Sequence, residues 1–139
     1  MSDPYDLERF VDAQDGIYEQ ALSELRRGRK TGHWMWFVFP QIEGLGHSLM
    51  AQQYAISGLD EARGYLAHPV LGPRLVECAR VVAGTTGRSA YEIFGSPDDL
   101  KLRSSMTLFA QTASGTAEFQ HVLDRYFGGK PDERTLERL

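Results

Sequence analysis

The chain holds one cysteine, Cys78, so no disulfide can close within it and no cysteine-rich zinc site can form. No apolar run reaches the roughly 18 residues that a membrane span needs. Positive charge is not in excess: 15 basic residues face 19 acidic ones, for a net charge of -4. That balance disfavours a broad nucleic-acid-binding face but leaves room for a local basic patch. No repeat of roughly 20–50 residues marks a solenoid, and no low-complexity stretch or linker divides the chain. The opening Met1-Ser2-Asp3-Pro4 lacks the basic start and apolar stretch of a signal peptide, so a cytoplasmic location is expected. Against these absences stand 139 residues, 42% hydrophobic and 24% charged, enough for one domain with its own core and too apolar for disorder.

Punctuation along the chain is helical. Asp3-Pro4 reads as a cap with proline at the first helical position, followed by Leu7, Phe10, Val11 and Gln14 at helical spacing. Asp15 can cap a second helix whose face is Ile17, Ala21, Leu22 and Leu25, with Gly32 as its stop. Ser57-Gly58-Leu59-Asp60 reads as a break and a new cap before a helix over Glu61–Ala67, which His68-Pro69 ends while starting the next. That next stretch carries Leu71, Leu75, Cys78, Ala79 and Val82 on one side. Ser89 caps a short helix with Tyr91 and Phe94. Gly95-Ser96-Pro97-Asp98-Asp99 starts a helix that continues through Leu100, Leu102, Met106, Phe109 and Ala110. Phe119, Val122, Leu123, Tyr126 and Phe127 form another, closed by Gly128-Gly129, and Asp132 caps a final turn that includes Leu136. Only Trp34–Phe39 could be a strand, and a short buried helix fits it as well. The expected fold is all-α: a single domain over residues 1–139 with about seven to nine short helices around one core.

Residues 33–46 stand apart, because both tryptophans fall there. Most of these rings are expected in the core, since aromatics dominate small cores. The alternative is that His33 and a tryptophan line a pocket, with Pro40 and Gly44-x-Gly46 shaping a loop beside it. Those glycines, followed by His47-Ser48, suit a simple turn or backbone amides offered to an anion; the full dinucleotide and P-loop patterns are missing. A second constellation spans Asp98 to Met106. Asp99 and Arg103 are i,i+4 partners, and Lys101 shares a face with Ser104 and Ser105. A lysine beside a serine can activate a nucleophile or bind an anion; equally, this is an exposed face with small residues packed on a neighbour. His33, His47, His68 and His121 show no metal-ligand spacing, and no metal or cofactor is expected. Cys78 reads as an inert core thiol. Arg26-Arg27-x-Arg29-Lys30 is the one positive cluster, placed where a solvated helix end favours cations, though it could touch phosphates.

Long strings carry a resemblance. Asp3-Pro4-Tyr5-Asp6-Leu7, Gly32-His33-Trp34-Met35-Trp36-Phe37-Val38-Phe39-Pro40-Gln41, Gly44-Leu45-Gly46, His68-Pro69-Val70-Leu71-Gly72-Pro73-Arg74-Leu75, Ile93-Phe94-Gly95-Ser96-Pro97-Asp98-Asp99-Leu100-Lys101-Leu102-Arg103-Ser104-Ser105-Met106 and Tyr126-Phe127-Gly128-Gly129 closely resemble the bacterial family called domain of unknown function 1810. The likeness runs almost the length of the chain. It implies a compact, mostly helical single domain and supplies no activity and no catalytic residues. Some members carry the label "calpastatin"; calpastatin is a largely disordered protease inhibitor, and the core-forming composition here argues against that state.

The first functional expectation is a pocket for an anionic or nucleotide-like small molecule. His33, Trp34, Trp36, Gln41, Gly44 and Gly46 would line it, and Lys101, Arg103 and Ser105 would supply polar and positive contacts. The second is a hydrolase or transferase in the same cleft, with His33 as base, Asp98 or Asp99 as its partner and Lys101 stabilising charge. The third is an interaction module that docks a partner on exposed aromatics. Nucleic acid and membrane are not expected partners, and the oligomeric state is left open.

Overall fold

A computed structural model describes residues 3–112 and 117–139; Met1 and Ser2 of the acidic start lie outside the described residues. Ten helices are present among them: α1 Glu8–Gln14, α2 Tyr18–Arg26, α3 Met35–Val38, α4 Leu49–Gln53, α5 Leu59–Ala67, α6 Leu71–Gly84, α7 Ala90–Phe94, α8 Asp98–Ala110, α9 Ala117–Phe127 and α10 Glu133–Leu136. The fold is all-α, as expected. The helix beyond the expected range of seven to nine is α4, whose five residues are too few to establish an amphipathic period. Trp34–Phe39 contains the short helix α3, not a strand.

Side-chain caps explain some of the boundaries, while α2, α3, α5 and α8 start without one, the last despite the Ser96-Pro97 signal. Ser89 and Glu92 form a reciprocal capping box on α7, and Asp132 accepts the Thr135 amide at the start of α10. The Asp3 carboxylate accepts from the amides of Leu7 (2.8 Å) and Glu8 (3.1 Å), so it caps α1 from further upstream than a proline-first helix requires. Asp15 ends α1 and does not start α2, because a turn at Gly16 separates the two. Chain reversal after α2 comes at Gly28 (φ 72°), before Gly32. His68 caps α6 through its ring: Nδ1 accepts from Val70 (3.1 Å) and Leu71 (3.3 Å).

α9 packs against both α6 and α8; α5 lies on α6 and α8, α2 on α6, and α7 and α10 on α8. The second half of α8 is buried on every side from Ser104 to Phe109, the mark of a central helix. One continuous core joins Phe10, Leu25, Trp34, Phe39, Tyr65, Leu75, Phe109 and Phe119. Leu100, expected to continue the apolar face of α8, is instead 57% exposed near the helix start. Among the described residues a single parallel bridge joins Ile42 to Ile56, with the Ile56 amide on the Gln41 carbonyl (2.8 Å) and the Glu43 amide on the Ile56 carbonyl (2.9 Å). It holds the loop after α3 against the link between α4 and α5.

Candidate functional site

That bridge forms one wall of a hollow of about 260 Å³, lined in part by Trp36, Gln41, Ile42, Gly44, Gly46 and Tyr54. A second hollow, about 340 Å³, adjoins it and shares Gln41, Gly46 and Ala51. Its further lining includes His47, Leu100, Lys101, Ser104 and Arg134. Where the two meet, the Lys101 ammonium lies 5.5 Å from the Trp36 ring centroid, within cation–π range. α3 holds Trp36, α8 holds Lys101, and the glycine loop passes between the hollows.

Gly44 sits at φ 92°, and a Cβ there would collide with the Arg138 guanidinium. A Cβ on Gly46 would stand 2.6 Å from that of Ala51. Gly44 is favoured by its positive φ, since the exposed Arg138 head could move aside, and Gly46 by its close approach to Ala51. Ser48 caps the short α4 with its own hydroxyl, which accepts from the Ala51 amide (3.1 Å).

Behind the cleft, two lysine–tryptophan pairs share one carboxylate. Asp98, the first residue of α8, accepts from Lys30 at 2.7 Å and lies 3.7 Å from Lys101. Lys30 also donates to the Gly32 carbonyl (2.6 Å) and lies 5.1 Å from the Trp34 ring centroid. Its side chain is only 7% exposed, so Lys30 is not part of a solvated helix end. Trp34 is itself buried, and its Nε1 donates to Glu24 (3.0 Å). The same Glu24 oxygen accepts from the amides of Thr31 (2.7 Å) and Gly32 (2.8 Å), and the other accepts from Gln20 (2.9 Å). Burial opposes ionisation of Glu24, but the donors of Gly32, Thr31, Gln20 and Trp34 together outweigh it and lower its pKa to about 2.

The expected site residues divide. Trp36, Gln41, Gly44, Gly46 and Lys101 come together around the two hollows. His33 is exposed and lines neither, while Trp34 is withdrawn into the core. Arg103 turns the other way, donating to the carbonyls of Lys130 and Pro131 (both 3.1 Å) in place of the anticipated pairing with Asp99. Ser105 is fully buried and its Oγ has no hydrogen-bond partner among the described residues. The Asp98 carboxylate is held by two lysines, which leaves the arrangement of a His33 base with an Asp98 partner without support. Trp34, Phe37 and Phe39 are buried, so the aromatic segment offers little surface to a docking protein. Tyr54, Arg134 and the nearby Arg138 were not singled out from the sequence, because no local pattern links them to the aromatic segment.

Among the described residues no three His, Cys, Asp or Glu side chains gather closely enough to hold a metal ion, and no helix is long and apolar enough to cross a membrane. No curated protein matches the chain. The crystal structure of the conserved hypothetical protein Rv1873 from Mycobacterium tuberculosis is similar at 56% identity and a TM-score of 0.97, over 99% of this chain and 98% of that one. With a match extending over residues 4–139, the chain belongs to the family described as "Protein of unknown function (DUF1810)".

Proposed function

We propose that this protein binds a small anionic molecule carrying a planar ring, of nucleotide-like chemistry, across the two adjoining hollows. The observation that carries the reading is the position of Lys101 over Trp36 at their junction, with Tyr54 on one side and Arg134 on the other. Indole and phenol surfaces favour a flat ring, and Lys101 and Arg134 in the second hollow favour the charged group, whereas the first hollow carries Glu43. Gln41, which lines both hollows, can give and accept hydrogen bonds to ring edges. Asp98 holds the Lys101 ammonium near the ring it covers, so less order need be imposed on binding.

The test is a thermal-shift and calorimetric screen with nucleoside monophosphates, sugar phosphates and carboxylates. A ligand of this class should raise the melting temperature, bind more weakly as salt is added, and lose about tenfold or more in affinity in Lys101→Gln. Trp36→Phe should weaken ring-bearing ligands more than ring-free anions. No stabilisation by any member of the panel, or equal binding by wild type and Lys101→Gln, would contradict the reading.

A further inference from the structure

A third hollow shares no lining residue with the first two. The ends of α2 and α6 and the loop that follows α6 border a shallow, open depression of about 440 Å³, lined by Arg26, Arg27, Arg80 and Arg88 with Gly28, Thr85 and Thr86 among the rest. In a chain of net charge -4, four arginines around one depression are a local concentration of positive charge. Part of that charge answers the partial negative charge at the end of α2, whose last turn holds Arg26. The remainder is weakly compensated. Arg26 meets Glu77 at 3.7 Å and Arg80 meets Glu118 at 3.2 Å, both with well-exposed arginines, and such solvated pairs hold their charges only weakly. Among the described residues, Arg27 and Arg88 have no carboxylate within 4 Å, although Arg88 is near enough to Glu92 to help lower its pKa. Arg88 is nonetheless placed: its side chain packs across Gly28, so closely that a Cβ there would stand 3.3 Å from Arg88 Cδ. Arg125 reaches the rim, its Nε donating to the Thr85 carbonyl at 2.6 Å.

The geometry points to a second anion site, independent of the Trp36 cleft, that takes a compact polyanion with two or more phosphate groups. Guanidinium forks match phosphate oxygens in pairs, and several arginines around one concavity suit several phosphates on one small molecule. A nucleic-acid strand would instead need a basic stripe that tracks a backbone, which the acidic balance of the chain does not provide.

The probe is inorganic triphosphate, titrated calorimetrically into the full chain, with orthophosphate and a short single-stranded oligonucleotide as separate arms. The expected result is saturable binding of triphosphate, at least tenfold tighter than orthophosphate. It should fall tenfold or more in the double variant Arg27→Gln/Arg88→Gln and stay unchanged in Lys101→Gln. An unchanged melting temperature in the absence of ligand shows that the double variant is folded; Arg26→Gln/Arg80→Gln serves in its place should it melt early. Absence of saturable binding, equal binding by the arginine variants, loss of triphosphate binding in Lys101→Gln, or binding of oligonucleotide but not triphosphate would each overturn the proposal.

Discussion

Glu24 is a buried carboxylate with four donors, and the path of the chain into the aromatic segment depends on it. Its pKa of about 2 in the folded protein lies below the ordinary 4.5, so ionised Glu24 favours folding at neutral pH. That contribution is complete above the unfolded value and drains away as pH falls from about 4.5 towards 2; the shift corresponds to about 3 kcal/mol. Urea denaturation across this window should show wild type losing more stability on acidification than Glu24→Gln. At pH 7 the variant should be about 2–4 kcal/mol less stable, because a carboxamide cannot accept from all four donors. Equal acid sensitivity in the two proteins would refute this role. Nothing in the sequence marks Glu24: a glutamate on an amphipathic helix reads as solvent-facing until Thr31, Gly32 and Trp34 fold back onto it. Cys78 is the contrasting case, legible from its place on an apolar helical face. Burial pushes its thiol up to about 12, so it should ignore a thiol reagent at pH 8 in the native state and react fully in denaturant.

Chemical punctuation or apolar spacing makes most helices readable, though not α4 despite its Ser48 cap, and contacts between distant segments are not readable. Ser89 and Asp132 announce α7 and α10 because their side chains satisfy amides three residues on. Asp15 offers the same chemistry and fails to start α2, since the turn at Gly16 sends the chain elsewhere. The seating of α1 depends on a contact that local pattern cannot show. Arg9 donates to the carbonyls of Tyr5, Asp6, Gln53 and Ala55, and pairs with the buried Glu61 at 2.8 Å. Glu61 in turn accepts from the amide and hydroxyl of Ser57, both at 2.9 Å. One guanidinium thus ties α1 to the link that precedes α5. Lysine has a compact head and cannot reach these acceptors together, so Arg9→Lys should cost about 2 kcal/mol or more. Chemical denaturation measures it; a variant as stable as wild type would show that the fork is dispensable.

For the whole molecule, helical class and much of the core follow from composition and the spacing of apolar residues. The candidate site follows from neither. Trp36 and Lys101 invite attention separately, but their meeting depends on α8 packing beside the loop after α3. The four arginines show the same limit: Arg26 and Arg27 stand out in the sequence, while Arg80 and Arg88 join them only through the packing of α2 on α6. Conversely, His33 and Trp34 sit beside Trp36 in the chain yet leave the cleft, one to solvent and the other to Glu24. The two indoles therefore report on two different places. In a heteronuclear correlation spectrum with only two indole N–H signals, titration with a nucleoside monophosphate is the most direct test of the cleft as a binding site. The account predicts that the Trp36 signal moves saturably while the Trp34 signal, locked on Glu24, stays in place. No movement of Trp36 at millimolar nucleotide, or movement of Trp34 alone, would contradict it.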